Sequence, residues 1–181
     1  MFWLLGLARA ACTFSATSEQ LATNLSSAEA AYVSLDVPEF QRAMTEVDYL
    51  VPCLVEPVSI ELAAQLHRIR GLGHYVDGKP EAVESSLRAA RLLEPDYRFS
   101  TDVLPEGFDL RIQYEAFPVE GELGTNMPRP RSGSLVVDGR DTRLRPPTAT
   151  LLQVLSEGRV QQSVYLLPTD PLPEYPGVDR R

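Results

Sequence analysis

SIELAAQLHRIRGLGHYVDGKPEAVESSLRAARLLEP, running from Ser59 to Pro95, carries helical apolar spacing on both sides of a single break. Ser59 supplies a helix cap, and Leu62, Leu66, Ile69, Gly73 and Val76 follow at the three- and four-residue spacing of one helical face. Asp77-Gly78 breaks that periodicity. A second helix is expected from Pro80-Glu81, where proline costs no hydrogen bond in a first turn, with Val83, Leu87, Ala90 and Leu93 as its stripe and Pro95 as its stop. The segment therefore predicts a helical hairpin.

The same pattern stands upstream. Thr17 and Gln20 form a capping box ahead of Leu21, Leu25, Ala28 and Tyr32. Asp36-Val37-Pro38-Glu39 then opens a helix carrying Phe40, Ala43, Met44, Val47 and Leu50, which ends at Pro52. Residues recur between the two hairpins at an offset of about 43, in the range of helical repeats: Tyr32 with Tyr75, Val33 with Val76, Met44 with Leu87, Leu50 with Leu93 and Pro52 with Pro95. Gly71, Gly78, Ala90 and Pro95 fall at the spacings of the glycines, alanine and closing proline of a tetratricopeptide repeat, which the second hairpin resembles. It departs where Val83 replaces a small residue, the first hairpin lacks both glycines, and the period exceeds the ~34 residues of that family. The resemblance implies that the first helix of each hairpin lines a concave groove for a partner protein or peptide, with Leu25, Glu29, Tyr32, Gln65, Arg68 and Tyr75 as partner-binding residues.

Downstream the character changes, since residues 101–181 hold ten of the 15 prolines and seven of the 11 glycines. Leu110, Ile112, Tyr114 and Ala116 alternate with polar residues and predict a half-buried strand. Gly121 to Arg131 reads as a mobile loop. Leu135-Val136-Val137 before Asp138-Gly139 predicts a strand entering a tight hairpin, and Thr148–Leu155, the turn Ser156–Arg159 and Val160–Leu167 predict another. Gly133 to Gly139, Pro147, Leu152, Gly158 and Tyr165-Leu166 resemble the PEGA family of small β-sandwich modules over about 35 residues, although the motif that names the family is absent and Pro147–Thr150 stands near its place. The fold expected is thus α+β: a tetratricopeptide-like pair of α/α hairpins at 17–99, then a small antiparallel β-sandwich at 105–168. Residues 1–16 are a possible signal segment, and 169–181 a proline-rich tail, expected to pack along its own domain or lie loose in solvent, or else to serve as a ligand strip.

The chain has 181 residues, 44% hydrophobic and 23% charged, enough for a sizeable core. Its net charge of −8 argues against nucleic acid as partner, and no apolar run is long enough to embed in a membrane. Phe2–Ala8 followed by Ala8-Arg9-Ala10-Ala11 resembles an export signal with its cleavage site; the competing reading makes Phe2–Ala8 the first helix of a cytoplasmic protein. Cys12 after Ala10-Ala11 also resembles a lipoprotein signal, with a lipid anchor on that cysteine. Cys12 and Cys53 are the two cysteines, open to disulfide pairing after export or to remaining separate thiols.

Motifs for chemistry are scarce. His67 and His74 lie seven apart, not at the i, i+4 spacing of a helical metal clamp. Gly71-Leu72-Gly73 lacks the third glycine of a dinucleotide loop, since Val76 stands there, and Glu115, Glu120 and Glu122 read as solvated surface. No catalytic residue, metal ligand or cofactor is therefore expected. The reading is a non-enzymatic scaffold or adaptor of a bacterial cell-envelope assembly, in the envelope or periplasm. Its alternatives are a small hydrolase-like envelope enzyme with a loop-assembled site and a cytoplasmic repeat-containing regulator.

Overall fold

A computed structural model describes residues 12–121 and 123–175. Among the described residues five helices precede antiparallel sheets, so the chain is α+β. Of the possible signal segment at 1–16, residues 1–11 lie outside the described residues, while Cys12 is disulfide-bonded and Ala16 is buried against Leu54.

Helix α1 (Ser18–Val33) starts on a reciprocal cap: Thr17 Oγ1 accepts from the Gln20 N–H at 3.2 Å, and the Gln20 side chain accepts from the Thr17 N–H at 3.0 Å. Asp36 caps α2 (Val37–Leu50) through the Glu39 N–H at 3.1 Å, and Ser59 caps α3 (Ile60–Val76) through the Leu62 N–H at 3.2 Å. Helix α4 (Pro80–Leu93) begins on its proline. A 3₁₀ turn at Val51–Cys53 follows α2. Helix α1 packs along α2 and α3 along α4, with Leu21, Leu25, Leu66, Ile69, Leu72 and Leu87 wholly buried between them. Leu87 sits against Gly71, where a Cβ would lie 2.5 Å from its Cδ2.

The turn from α1 to α2 and that from α3 to α4 carry the same hydrogen bonds. Leu35 N–H donates to Tyr32 O at 3.1 Å and Asp36 N–H to Ala31 O at 2.9 Å; Gly78 N–H donates to Tyr75 O at 3.1 Å and Lys79 N–H to His74 O at 2.9 Å. Such a helix ending needs one residue in the left-handed region, which glycine enters freely. Gly78 fills it with φ +68, and Leu35 with φ +58, at a steric cost of ~1–2 kcal/mol.

Residues 109–116 correct the strand expected from alternation. They form helix α5 (Asp109–Ala116), in which Leu110 and Tyr114 are buried one turn apart and Ile112 is exposed. The segment from Glu94 to Phe117 does not lead away from the helices. Phe99, Val103, Leu104, Leu110 and Tyr114 belong to the same hydrophobic core as α1–α4, so the boundary expected between 99 and 105 falls within that core.

Strand β1 (Thr125–Asn126) pairs with β4 (Leu144–Arg145), which gives pairing to the stretch expected to be a mobile loop. Strands β2 (Ser134–Val137), β3 (Arg140–Asp141), β5 (Thr150–Ser156) and β6 (Arg159–Leu166) form a second antiparallel sheet in the order β3-β2-β5-β6. Its hairpin turns are Asp138-Gly139 and Glu157-Gly158, all four residues at positive φ. One side of this sheet contributes Leu151 and Tyr165 to the helical core. The other side forms a smaller core of Leu135, Val137, Leu152 and Val154 with Met127 and Tyr175. The proline-rich tail is held there as far as it is described: the Tyr175 hydroxyl donates to Pro128 O at 2.6 Å, and Arg145 donates to Leu167 O at 2.6 Å and Asp170 O at 2.9 Å. Those bonds occupy the strip from Leu167 to Tyr175 with its own domain rather than a partner.

Cys12 and Cys53 form a disulfide, so the Cys12 sulfur cannot also carry the lipid anchor read from the sequence. Beside it Ala16 pairs with Leu54: Ala16 N–H donates to Cys53 O at 2.9 Å and Val55 N–H to Ala16 O at 3.1 Å. Among the described residues no helix is long and apolar enough to cross a membrane.

Candidate interaction site

The groove residues implied by the helical-repeat resemblance divide into two sets. Leu25 is wholly buried in the core and cannot line a groove. Arg68 is buried too, because its guanidinium pairs with Glu94 and stacks 3.7 Å from the Tyr97 ring centroid. That ring belongs to the chain's own continuation after α4, which covers the face where a partner peptide was expected. Tyr97 is edge-on to Tyr114, Phe108 is edge-on to Tyr75, and burial pushes the Tyr97 and Tyr114 phenols above their ordinary range. Glu29 is half-buried on the same side, near enough to Tyr97 to add to that upward push. Gln65 is half-buried, donating to Ser26 Oγ at 3.5 Å.

Tyr32 and Tyr75 come together. With Leu35, Asp36, Phe40 and Val76 they line a cleft of about 530 Å³ at the turn end of the hairpins. Tyr32 and Phe40 meet edge to face, with ring centroids 5.8 Å apart. Burial, and then the neighbouring Tyr75, raise the pKa of the Tyr32 phenol above its ordinary range. The rim is apolar and open: Leu35 is 85% exposed, Tyr75 44%, and Val33, Val37 and Val76 are exposed beside them. Clustered exposed apolar side chains mark interaction surfaces. The local sequence explains the display, since the left-handed backbone at Leu35 turns its side chain outward.

A second constellation, absent from the sequence reading, lies where the sheet meets the helices. His67 Nε2 is 2.9 Å from Asp138 Oδ1, and His67 Nδ1 is 3.0 Å from the Tyr165 hydroxyl, which donates to Ser86 Oγ at 3.0 Å. Asp138 Oδ1 also accepts from the Leu151 N–H at 2.6 Å. The Asp138-Gly139 turn reaches the start of α3 so closely that a Cβ on Gly139 would lie 2.6 Å from Ile60 N. Gln153 adds two bonds, accepting from Val58 N–H at 3.0 Å and donating to Glu56 O at 3.3 Å. A serine, a histidine and an aspartate are present here, yet not as a nucleophilic triad. Tyr165 stands between Ser86 and His67, and Ser86 and His67 are wholly buried, leaving no path for a substrate to the hydroxyl. The set acts as a polar interlock between sheet and helices.

His74 lies in a neighbouring cleft between α2 and α3 with Met44, Arg70 and Lys79. Burial, then Arg70 and Lys79, lower its pKa. Among the described residues no cluster of three or more His, Cys, Asp or Glu side chains could hold a metal ion.

An α+β chain with an apolar cleft at its helical end and a polar interlock at its centre is the class these features define. Compared with protein-family models, curated proteins and solved structures, the chain has no match.

Proposed function

We propose that this chain is a non-enzymatic interaction module that docks a protein partner at the Tyr32–Tyr75 cleft, as part of a bacterial cell-envelope assembly. The observation that carries the reading is Leu35, a bulky apolar residue held in a conformation that favours glycine and presented to solvent beside two tyrosines. Strain of this kind persists where surrounding structure imposes it, and it concentrates at functional sites. The recurrence of turn hydrogen bonds at an offset of about 43 supports two copies of one tetratricopeptide-like hairpin, although the groove used is the turn end rather than the concave face. A PEGA-like sandwich remains the proposal for the strands. The Cys12–Cys53 disulfide supports an oxidising compartment over the cytosol, in keeping with export.

The test is site-specific photo-cross-linking from Leu35 in the native host, with Leu35 replaced by a photoreactive residue. The reading expects a discrete adduct in the envelope fraction that disappears in Tyr75→Ala, while Tyr75→Ala protein keeps its melting temperature. An adduct pattern unchanged by Tyr75→Ala, or no adduct from this position, would sink it.

A further inference from the structure

Building on the reading of the cleft as a docking site, we infer that its occupant is a basic protein segment, which inserts a Lys or Arg side chain between the rings of Tyr32 and Tyr75 toward the Asp36 carboxylate.

Tyr32 and Tyr75 are the part-exposed rings of the cleft, with Phe40 buried beside Tyr32, and aromatic rings attract cations. Apolar Leu35, Val37 and Val76 around them suit the methylene stem of a long basic side chain, whose head goes to a polar end. Asp36 supplies that end. It accepts the Glu39 N–H as the cap of α2, and among the described residues no cation pairs with it. The wider field has the same sign. From Thr17 to Val58 the sequence carries seven acidic side chains and one basic, Arg42. Arg42 is itself neutralised by Glu39 at 2.6 Å. In the adjoining cleft Arg70 pairs with Asp48 at 2.6 Å and Lys79 with Asp77 at 2.8 Å, so neither presents a net positive charge to the Tyr32–Tyr75 cleft. Glu19 and Glu56 lie at the far end of α1, so the field at the cleft rests chiefly on Asp36, with Glu39 and Asp77 beside it. Such a surface attracts basic segments over roughly one Debye length, and repels acidic ones. A hydrophobic segment without charge would use the rim but leave Asp36 and the ring faces unmatched.

The probes are short fluorescent peptides of alternating leucine and arginine, with glutamine or glutamate in place of arginine, titrated into the disulfide-bonded protein and read by anisotropy. The arginine peptide should bind at least tenfold tighter than the glutamine one, and the glutamate peptide weakest. Raising salt from about 0.05 to about 0.5 M should weaken the arginine peptide alone. Asp36→Asn is the discriminating variant, because asparagine caps a helix as well as aspartate and removes only the charge. It should cost the arginine peptide several-fold and leave the glutamine peptide unchanged, whereas Tyr75→Ala should weaken both. Equal binding of the three peptides, or an arginine peptide indifferent to Asp36→Asn and Tyr75→Ala, overturns the inference. If cross-linking from Leu35 still depends on Tyr75 in that event, docking at the cleft stands and the basic occupant alone is refuted.

Discussion

Replacing both Cys12 and Cys53 with Ser opens a covalent loop whose ends are 41 residues apart in sequence. In the chain-entropy treatment a loop of that length restricts the unfolded ensemble by about 4 kcal/mol at 25 °C. The bond also fixes Ala16 where it exchanges main-chain hydrogen bonds with Cys53 and Val55, and Ala16 is wholly buried. A loss of about 2–4 kcal/mol is therefore expected, equivalent to a melting point lower by roughly 5–15 °C in a chain of this size. Urea unfolding followed by circular dichroism, with and without reductant, measures it. The wild-type protein should lose stability on reduction and converge on the double variant, which reductant should leave untouched. A difference under about 0.5 kcal/mol would refute the reasoning, because it would mean that the loop is already closed in the unfolded chain or that the sulfurs do not pair.

Leu87→Ala removes a wholly buried side chain packed on Gly71 and should cost about 2–5 kcal/mol in denaturant unfolding; a loss typical of surface positions would contradict that packing. Leu35→Gly relieves the left-handed strain and should raise stability by about 0.5–1 kcal/mol while weakening cross-linking or peptide binding at the cleft, so a destabilised variant would argue against strain. Asp138→Ala strips the carboxylate from a wholly buried His67 and an inward-facing main-chain amide, and should cost about 3–5 kcal/mol, with unchanged unfolding counting against the interlock. His74 has a lowered pKa when folded, so the unfolded chain binds the proton more readily below the ordinary 6.5; its contribution is whole above that pH and is lost as pH falls toward the folded value. A His74→Gln variant should flatten the acid limb of the stability profile, and an unchanged limb would exclude this residue as its source.

Thr17 with Gln20, Asp36 with Pro38, and Ser59 ahead of Leu62 each announce a helix through neighbours two or three residues away, and all three caps stand in the structure. Asp138-Gly139 and Glu157-Gly158 announce turns for the same local reason. Residues 110–116 misled because Leu110 and Tyr114 satisfy both a period of two and a four-residue helical step, and Ile112, exposed in the helix, completed the false alternation. Tertiary packing of Tyr114 against Phe99 decides between the two. The interlock was illegible for another reason: His67 lies 71 residues from Asp138 and 98 from Tyr165, and no local spacing encodes such a meeting. Tyr32 and Tyr75 were legible as equivalent positions. What hid from the sequence was that the segment after Leu93 would cover the concave face and leave the turn end open, since that depends on where Tyr97 and Phe108 come to rest.

The sulfur bridge beside the first hairpin has a mechanical meaning. Tension applied at Cys12 passes across the bridge to Cys53, and from there along Leu54 and Val55 to the sheet, where Val160 N–H holds Val55 O at 3.2 Å. The residues between the two cysteines, which include the whole of α1 and α2, form a side branch that bears none of the load. Tyr32, Leu35, Asp36 and Phe40 all belong to that branch. A partner seated on them would feel no pull from a tethered chain while the bridge is intact, and reduction would route the same force through the first hairpin.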